Sequence, residues 1–510
     1  MTKPLFPSVV VVTSLALLAV SASGSGRINQ EGRILGPAPV VTNSVLFDTP
    51  QADAITSAMQ IFPVTNPWNE DVSRLAVLTN SDAMIAQIIS DLAASRRTLR
   101  AFYEMNFVLA PDSQPLVPID FVDYPDESDP SPYPIPPNMP IEGWPTQTEP
   151  LTLLQWQEDV NNTGGDRHSI VVQPGAGDTW ETWEALLAGG TNWQAANGAK
   201  FNLNTNGLRP AGWTSGDAAG LSMFPALPRY DECERGMVEH ACRLVVQHSR
   251  NQYIYPATHY ASTNTSPNEP SMGQRLRLKS SFVIPSNWAK EETAILLALK
   301  KYGALVADNG NFFSISVTPD DRWPSNAFDH ISTVGITNFE VVQSTGPNGG
   351  PRSPGAPVAV AGPDETAALG APVSLQGFVN YTGAPPVITW YLYSGPGTVT
   401  FGNASQTNTT ASFSAPGQYT LMLRATDGVH AVAYDAMSVT VTQQGIALSI
   451  TRTGTNLSLS WTGGSPPYVL QSASALFAAG TSWTALLTTN GQSATLPITS
   501  SNDFFRVQGN

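Results

Sequence analysis

Cysteine is nearly absent: the 510 residues contain only Cys233 and Cys242. A disulfide-dense scaffold and a four-cysteine zinc site are therefore excluded. Charge is scarce as well. Asp, Glu, Lys and Arg make up 13% of the chain, and the formal net charge is -15. No run of five Lys or Arg occurs, and an acidic surface repels phosphate backbones, so nucleic acid is not an expected partner. No G-x-S-x-G elbow, P-loop or H-E-x-x-H motif is present, which removes the usual signatures of serine hydrolases, nucleotide enzymes and zincins.

Apolar material, by contrast, is ample. Apolar residues reach 41%, enough for real cores, and 510 residues exceed what one core organises, so about three folded units are expected. Gly (41) and Pro (42) interrupt helices and favour many short strands. The expected fold is mainly β with a few helices, a large β-rich core followed by two small β-sandwich modules. At the N-terminus, Lys3, the apolar stretch 9–20 and Val20-Ser21-Ala22 read as a signal peptide over 1–22, with an uncleaved anchor as the alternative. No other stretch approaches the length of a membrane span, so none is expected after signal cleavage. The chain is then secreted or held at the outer cell surface.

Residues 23–61 read as a loosely ordered lead-in, and 62–342 as one β-rich unit that should hold any chemistry. Within it, Met84, Ile85, Ile88, Ile89 and Leu92 recur at helical spacing over 81–97. A second helix is signalled over 287–302, with Glu291 and Glu292 at its start, Lys300 and Lys301 at its end, and Gly303 beyond. Strands are expected at 169–173, 237–247, 252–255, 274–284 and 304–307. The proline-rich stretch 125–150 must cross the surface as an extended loop, and such loops often line a cleft. Residues 343–354 read as a linker.

The polar clusters of the core supply the candidate site. Asp126, Glu127 and Asp129 could offer hard oxygens to Ca²⁺, or form a solvated acidic loop; no other cofactor is evident. Gly165-Asp166-Arg167-His168 leads into a strand and would set Asp166 beside His168 for proton transfer, unless Asp166 caps a turn. Trp213 and Asp217 share a loop, a combination that suits a sugar ring and its hydroxyls. Tyr255 precedes His259. Arg275, Arg277 and Lys279 alternate with Leu276 and Leu278, so period two puts three cations on one face, either solvated or meeting anions. The expected catalytic residues are Asp166, His168, Asp217, His259 and Lys279, and the expected substrate-binding residues are Trp213, Tyr255, Arg275 and Arg277. A hydrolase would draw its carboxylates from Glu142, Asp166, Asp217, Asp231 and Glu232. A lyase would use His259 or a tyrosine as base and Arg277 or Lys279 as the cation. Cys233 and Cys242 either pair as a disulfide or remain two buried thiols.

Two resemblances add to this. Pro416-Gly417-Gln418-Tyr419-Thr420-Leu421 and Arg424-Ala425-Thr426-Asp427-Gly428 resemble the corresponding strands of PKD and related immunoglobulin-like modules, over about 355–442. Trp390 is placed to fill that sandwich. Residues 445–510 look like a further small β-rich module. The core resembles a family of exported bacterial proteins through Asn66-Pro67-Trp68-Asn69, Asp126-Glu127-Ser128-Asp129, Gly165-Asp166-Arg167-His168, Leu208-Arg209-Pro210, Arg229-Tyr230-Asp231-Glu232, Tyr302-Gly303 and Ala307-Asp308-Asn309-Gly310. That resemblance implies domain bounds rather than chemistry. The expectation is a polysaccharide-active protein, a glycoside hydrolase or polysaccharide lyase, meeting a polysaccharide or cell-surface glycan. The alternative is a non-catalytic carbohydrate-binding or adhesion protein.

Overall fold

The apolar run Ile170-Val171-Val172, between the polar ends of Ser169–Gln173, fixes the centre of the core. In the computed structural model, which describes residues 27–146, 150–352, 355–477, 480–499 and 503–509, Ile170 and Val172 enter one hydrophobic cluster and Val171 enters another. This is the period of two expected of a strand buried on both faces. The strand lies in a five-stranded sheet ordered Val45–Leu46, Val108–Leu109, Ser169–Gln173, Asp178–Trp183, Asn197–Asn202. The signal peptide expected at 1–22 lies outside the described residues.

A second sheet of six strands is ordered Phe339–Val341, Arg275–Leu278, Ala304–Asn309, Cys242–Val246, Phe313–Val317, Leu99–Tyr103. Phe313, Ile315 and Val317 enter the larger cluster, while Ser314 and Ser316 occupy alternate positions. On the neighbouring strand Leu244 and Val246 are in that cluster and Arg243 is not. One face of the sheet is thus apolar and the other carries buried polar groups.

The two expected helices form, as Ser81–Asp91 and Lys290–Lys301. The second buries Ile295, Leu296 and Leu299, and Glu292 accepts the Ala289 N–H at its start (2.9 Å). Gly303 then turns the chain with φ +68, where a Cβ would sit 2.3 Å from the Leu276 carbonyl oxygen, so only glycine fits.

Several expectations are corrected. The lead-in is built into the core: Val45–Leu46 pairs with Val108–Leu109, Thr49 caps the helix Pro50–Ser57, and Arg33 pairs with Glu239 at 2.7 Å. Residues 252–255 form no strand, only a bridge from Tyr253 to Met272. Arg275 and Arg277 lie not on a wet face but inside the sheet, which is covered on both sides. Arg275 donates to the Tyr302 and Pro67 carbonyls, and Arg277 pairs with Glu340 at 2.7 Å and donates to the Val72 carbonyl. Cys233 and Cys242 are free buried thiols, not a disulfide, because the helix Tyr230–Arg235 holds Cys233 with its Sγ toward the Glu291 carbonyl (3.7 Å).

Downstream, the strands between Val358 and Thr442 enclose a core around Trp390, whose Nε1 donates to the Thr407 carbonyl (3.1 Å). Beyond it, two three-stranded sheets enclose Leu459, Trp461, Tyr468 and Leu470. Arg352, in the linker, pairs with Glu70 of the core (2.9 Å) and donates to the Val429 carbonyl (3.4 Å).

Candidate functional site

A cavity of about 210 Å³ opens beside the polar face of the six-stranded sheet, lined among others by Tyr124, Asp166, His168, Trp183, His259 and Asp308. The Tyr124 and Trp183 rings lie 6.0 Å apart and tilted. His168 immediately precedes the doubly buried strand and is itself buried. Its Nδ1–H donates to Glu142 Oε2 at 2.6 Å, and its backbone N–H donates to the same oxygen at 3.2 Å. Burial alone would discharge the ring, but the Glu142 carboxylate and its hydrogen bond raise the His168 pKa to about 9. For Glu142 burial works upward, and the His168 charge and hydrogen bonds bring it below its usual value. The pair is therefore an imidazolium–carboxylate pair at neutral pH.

Arg243 organises the cavity wall. Its Nε and Nη2 donate to Asp217 Oδ2 and Oδ1, both at 3.0 Å; Nη2 also reaches Asp308 Oδ2 at 2.8 Å, and Nη1 donates to Ser316 Oγ at 3.0 Å. Burial opposes this charge, and Asp217 and then Asp308 more than restore it. Asp308 is itself pushed up to about 6 by burial, against the pull of Arg243. Behind Asp217, Glu181 is wholly buried and accepts Ser222 Oγ (2.7 Å) and the N–H groups of Met223 (2.8 Å) and Phe224 (3.1 Å). Glu104 is raised to about 7 by burial and by the Glu142 charge. His259 donates Nδ1–H to the Ala218 carbonyl (2.7 Å), and among the described residues its Nε2 has no hydrogen-bond partner.

Of the expected residues, Asp166, His168 and His259 line the cavity, and Asp217 does not, being tied through Arg243 to Asp308, which does. Asp166 is exposed at the lip, and the partner of His168 is Glu142, not Asp166, because Arg167 between them has φ +44 and breaks the strand pattern. Trp213 stacks with the Arg209 guanidinium (5.4 Å) and is not among the residues lining the cavity. Tyr255 lies toward Glu70 and Arg275, and burial raises its hydroxyl to about 12. Lys279 is past the strand, donating to the Thr337 carbonyl (2.9 Å) at the surface. Asp231 and Glu232 pair with Arg235 (2.6 Å) and Arg229 (2.9 Å) on a separate helix. Glu127 accepts the Thr214 N–H (2.8 Å), and Asp129 pairs with Arg209 and accepts the Lys200 N–H (2.8 Å), while Asp126 is exposed. Two of these three carboxylates therefore fasten loop to loop, and a calcium ion there would have to displace those contacts.

Sequence reasoning missed Arg243, Asp308, Glu181, Tyr124 and Trp183. Arg243 had a signal: a lone cation inside the apolar run Cys242-Arg243-Leu244-Val245-Val246 requires buried anions.

The His168–Glu142 pair has a consequence for stability. The folded pKa of His168 lies above its ordinary 6.5, so its contribution is whole below about 6.5 and is lost as pH rises through about 9. Glu142 is depressed, so its contribution is lost as pH falls through its folded value. Glu104 and Asp308 are raised, and their cost grows as pH climbs past their unfolded values toward about 7 and about 6. Stability should therefore be greatest near pH ~5–6 and fall toward pH 9. Glu142→Gln should lose on the order of 3 kcal/mol at pH ~6 and flatten the slope above that. Urea unfolding at several pH values measures both; a variant that keeps the wild-type slope would exclude this pair as its source.

Residues 361–441 match a family of PKD domains, and this part of the chain is a PKD module. Among solved structures, the PKD domain of human KIAA0319 is 21% identical, covering 22% of this chain and 100% of that one with a TM-score of 0.17. The PKD domain of the KIAA 1837 protein is 23% identical over 19% of this chain and 92% of that one, TM-score 0.15. A nucleoside hydrolase-related hypothetical protein from Saccharophagus degradans, associated with carbohydrate metabolism, is 15% identical over 29% of this chain and 37% of that one, TM-score 0.15. No curated protein matches this chain. PKD and immunoglobulin-like domains are typical of extracellular proteins, and among the described residues no helix is long and apolar enough to cross a membrane. The family match lies wholly outside the residues lining the cavity.

Proposed function

We propose that this chain, in which a PKD module follows a core with a polar cavity, is an exported polysaccharide-active enzyme, a glycoside hydrolase that takes a polysaccharide or cell-surface glycan into that cavity. The observation that carries the reading is that Asp308, held near neutrality, and His259, with one ring nitrogen unengaged, line the same space as two aromatic rings. A sugar ring offers C–H faces to Trp183 and Tyr124 and hydroxyls to Asp166 and Asn309, whose Oδ1 is buried without a partner among the described residues. Glycosidic cleavage needs an acid to protonate the leaving oxygen and a base to activate water. Asp308 takes the first role and His259 Nε2 the second, while Arg243 and the His168–Glu142 pair hold the wall in place.

Hydrolysis suits the cavity better than elimination. A lyase neutralises a uronate carboxylate with a cation that is free to meet it. Here His168 and Arg243 are each matched by carboxylates, and Arg277 and Lys279 are engaged elsewhere. Asp123 and Asp166 both bear on Glu184 near the mouth, and that negative potential favours a neutral glycan over a polyanion.

The test is a panel of neutral and uronate polysaccharides incubated with the purified full chain. New reducing ends from a neutral glycan are expected. Unsaturated uronate products would replace hydrolysis by elimination. Retention on a glycan with no product would sink the enzyme reading in favour of a carbohydrate-binding or adhesion protein, which the PKD module also suits.

A further inference from the structure

Away from the cavity, three segments bring two carboxylates and an imidazole together. Asp91 ends the helix Ser81–Asp91, His248 follows the strand Cys242–Val246, and Glu269 lies in the loop that returns to the sheet. One ligand atom from each lies within 4.8 Å of the other two. Glu269 is 2% exposed. One oxygen of each carboxylate is satisfied by amides: Gln87 donates to Asp91 Oδ1 (2.8 Å) and Glu269 Oε1 (3.2 Å), and Asn264 donates to Glu269 Oε1 (2.9 Å). The other oxygens, Asp91 Oδ2 and Glu269 Oε2, are buried with no hydrogen-bond partner among the described residues. Two such oxygens facing each other need either the shared proton of a Glu269–Asp91 hydrogen bond or a cation between them. His248 Nδ1 is 3.7 Å from Asp91 Oδ1, and its side chain is 53% exposed, which leaves the outer side of the cluster open to water ligands.

We propose that Asp91, His248 and Glu269 bind a divalent transition-metal cation, with zinc as the representative ion. One imidazole nitrogen and two carboxylate oxygens form a three-ligand set of the kind zinc takes, with water completing the shell. Calcium and magnesium prefer all-oxygen shells and are disfavoured by the imidazole. Gln87 and Asn264, by holding the second oxygens, orient the carboxylates as outer-shell partners do. The ion fastens the loop that carries His259 and Glu269 to the helix Ser81–Asp91. The proposal does not depend on the glycan reading.

The test is zinc binding by the full chain after removal of metals with a chelator, read by equilibrium dialysis and metal analysis, with circular dichroism to confirm folding. About one zinc per chain is expected, with at least a tenfold loss of affinity in both His248→Ala and Glu269→Gln. His248 is largely exposed, so its replacement leaves the fold intact. Cobalt substituted for zinc gives a second readout, because loss of the imidazole ligand should shift the visible absorption bands. Negligible zinc on the wild-type chain, or equal binding by wild type and both variants, overturns the site.

Discussion

Asp308→Asn should lower turnover of a glycan substrate at least ~10²-fold while leaving the chain folded. The amide keeps the size of the side chain and an oxygen for Arg243, which retains its two bonds to Asp217. It cannot give up a proton to a leaving oxygen. The pH profile separates this from simple damage. A general acid with a pKa of about 6 is protonated below that value, so wild-type activity should fall as pH rises through about 6. The residual activity of the variant should lack that limb. A variant with wild-type turnover, or one that keeps the limb, removes Asp308 from the role of acid.

Arg243→Leu should cost about 3–5 kcal/mol of stability, because it strands Asp217 as a buried carboxylate without its counter-charge. The large figure measures the abandoned anion rather than the worth of the pair. Arg243→Leu combined with Asp217→Leu should therefore recover part of the loss, since the more deeply buried carboxylate is gone and only the partly exposed Asp308 is left without Arg243. Urea unfolding of the two single variants and the double variant completes the cycle. A single-variant loss under ~1 kcal/mol, or a double variant no better than the single, would show that the wall does not depend on this pair.

The sequence disclosed those features that depend on local pattern. Ser169–Gln173 and the helix centred on Ile295 were legible because periodicity records which faces are covered. Trp390 and the strands around it were legible because sandwich strands are short and evenly spaced. The cations at 275 and 277 misled because period two tells which residues share a face, not whether that face is wet. Arg277 does meet an anion, Glu340, but the other targets, the carbonyls of Pro67, Tyr302 and Val72, are backbone atoms that no side-chain pattern marks. The strand expected at 304–307 stopped short of Asp308, yet Ala304–Asn309 runs through it. Glu142 was visible as a carboxylate in a proline-rich loop, but its pairing with His168 is a long-range contact. The strands Asp178–Trp183 and Asn197–Asn202 went unread because Trp, Thr and Gly there carry no clean alternation.

The order of strands in the six-stranded sheet bears on how the chain must be made. Among the described residues Leu99–Tyr103 finds its strand partner only in Phe313–Val317, and Val77 bridges to Val342. Early segments therefore wait, unpaired, until nearly all of the core has been synthesised, and the sheet closes in a late, slow step of high contact order. The PKD module, whose strand partners all lie between Val358 and Thr442, is under no such delay. Trimming the core from either end would then yield not a smaller domain but a sheet with an open edge, prone to pair with other chains.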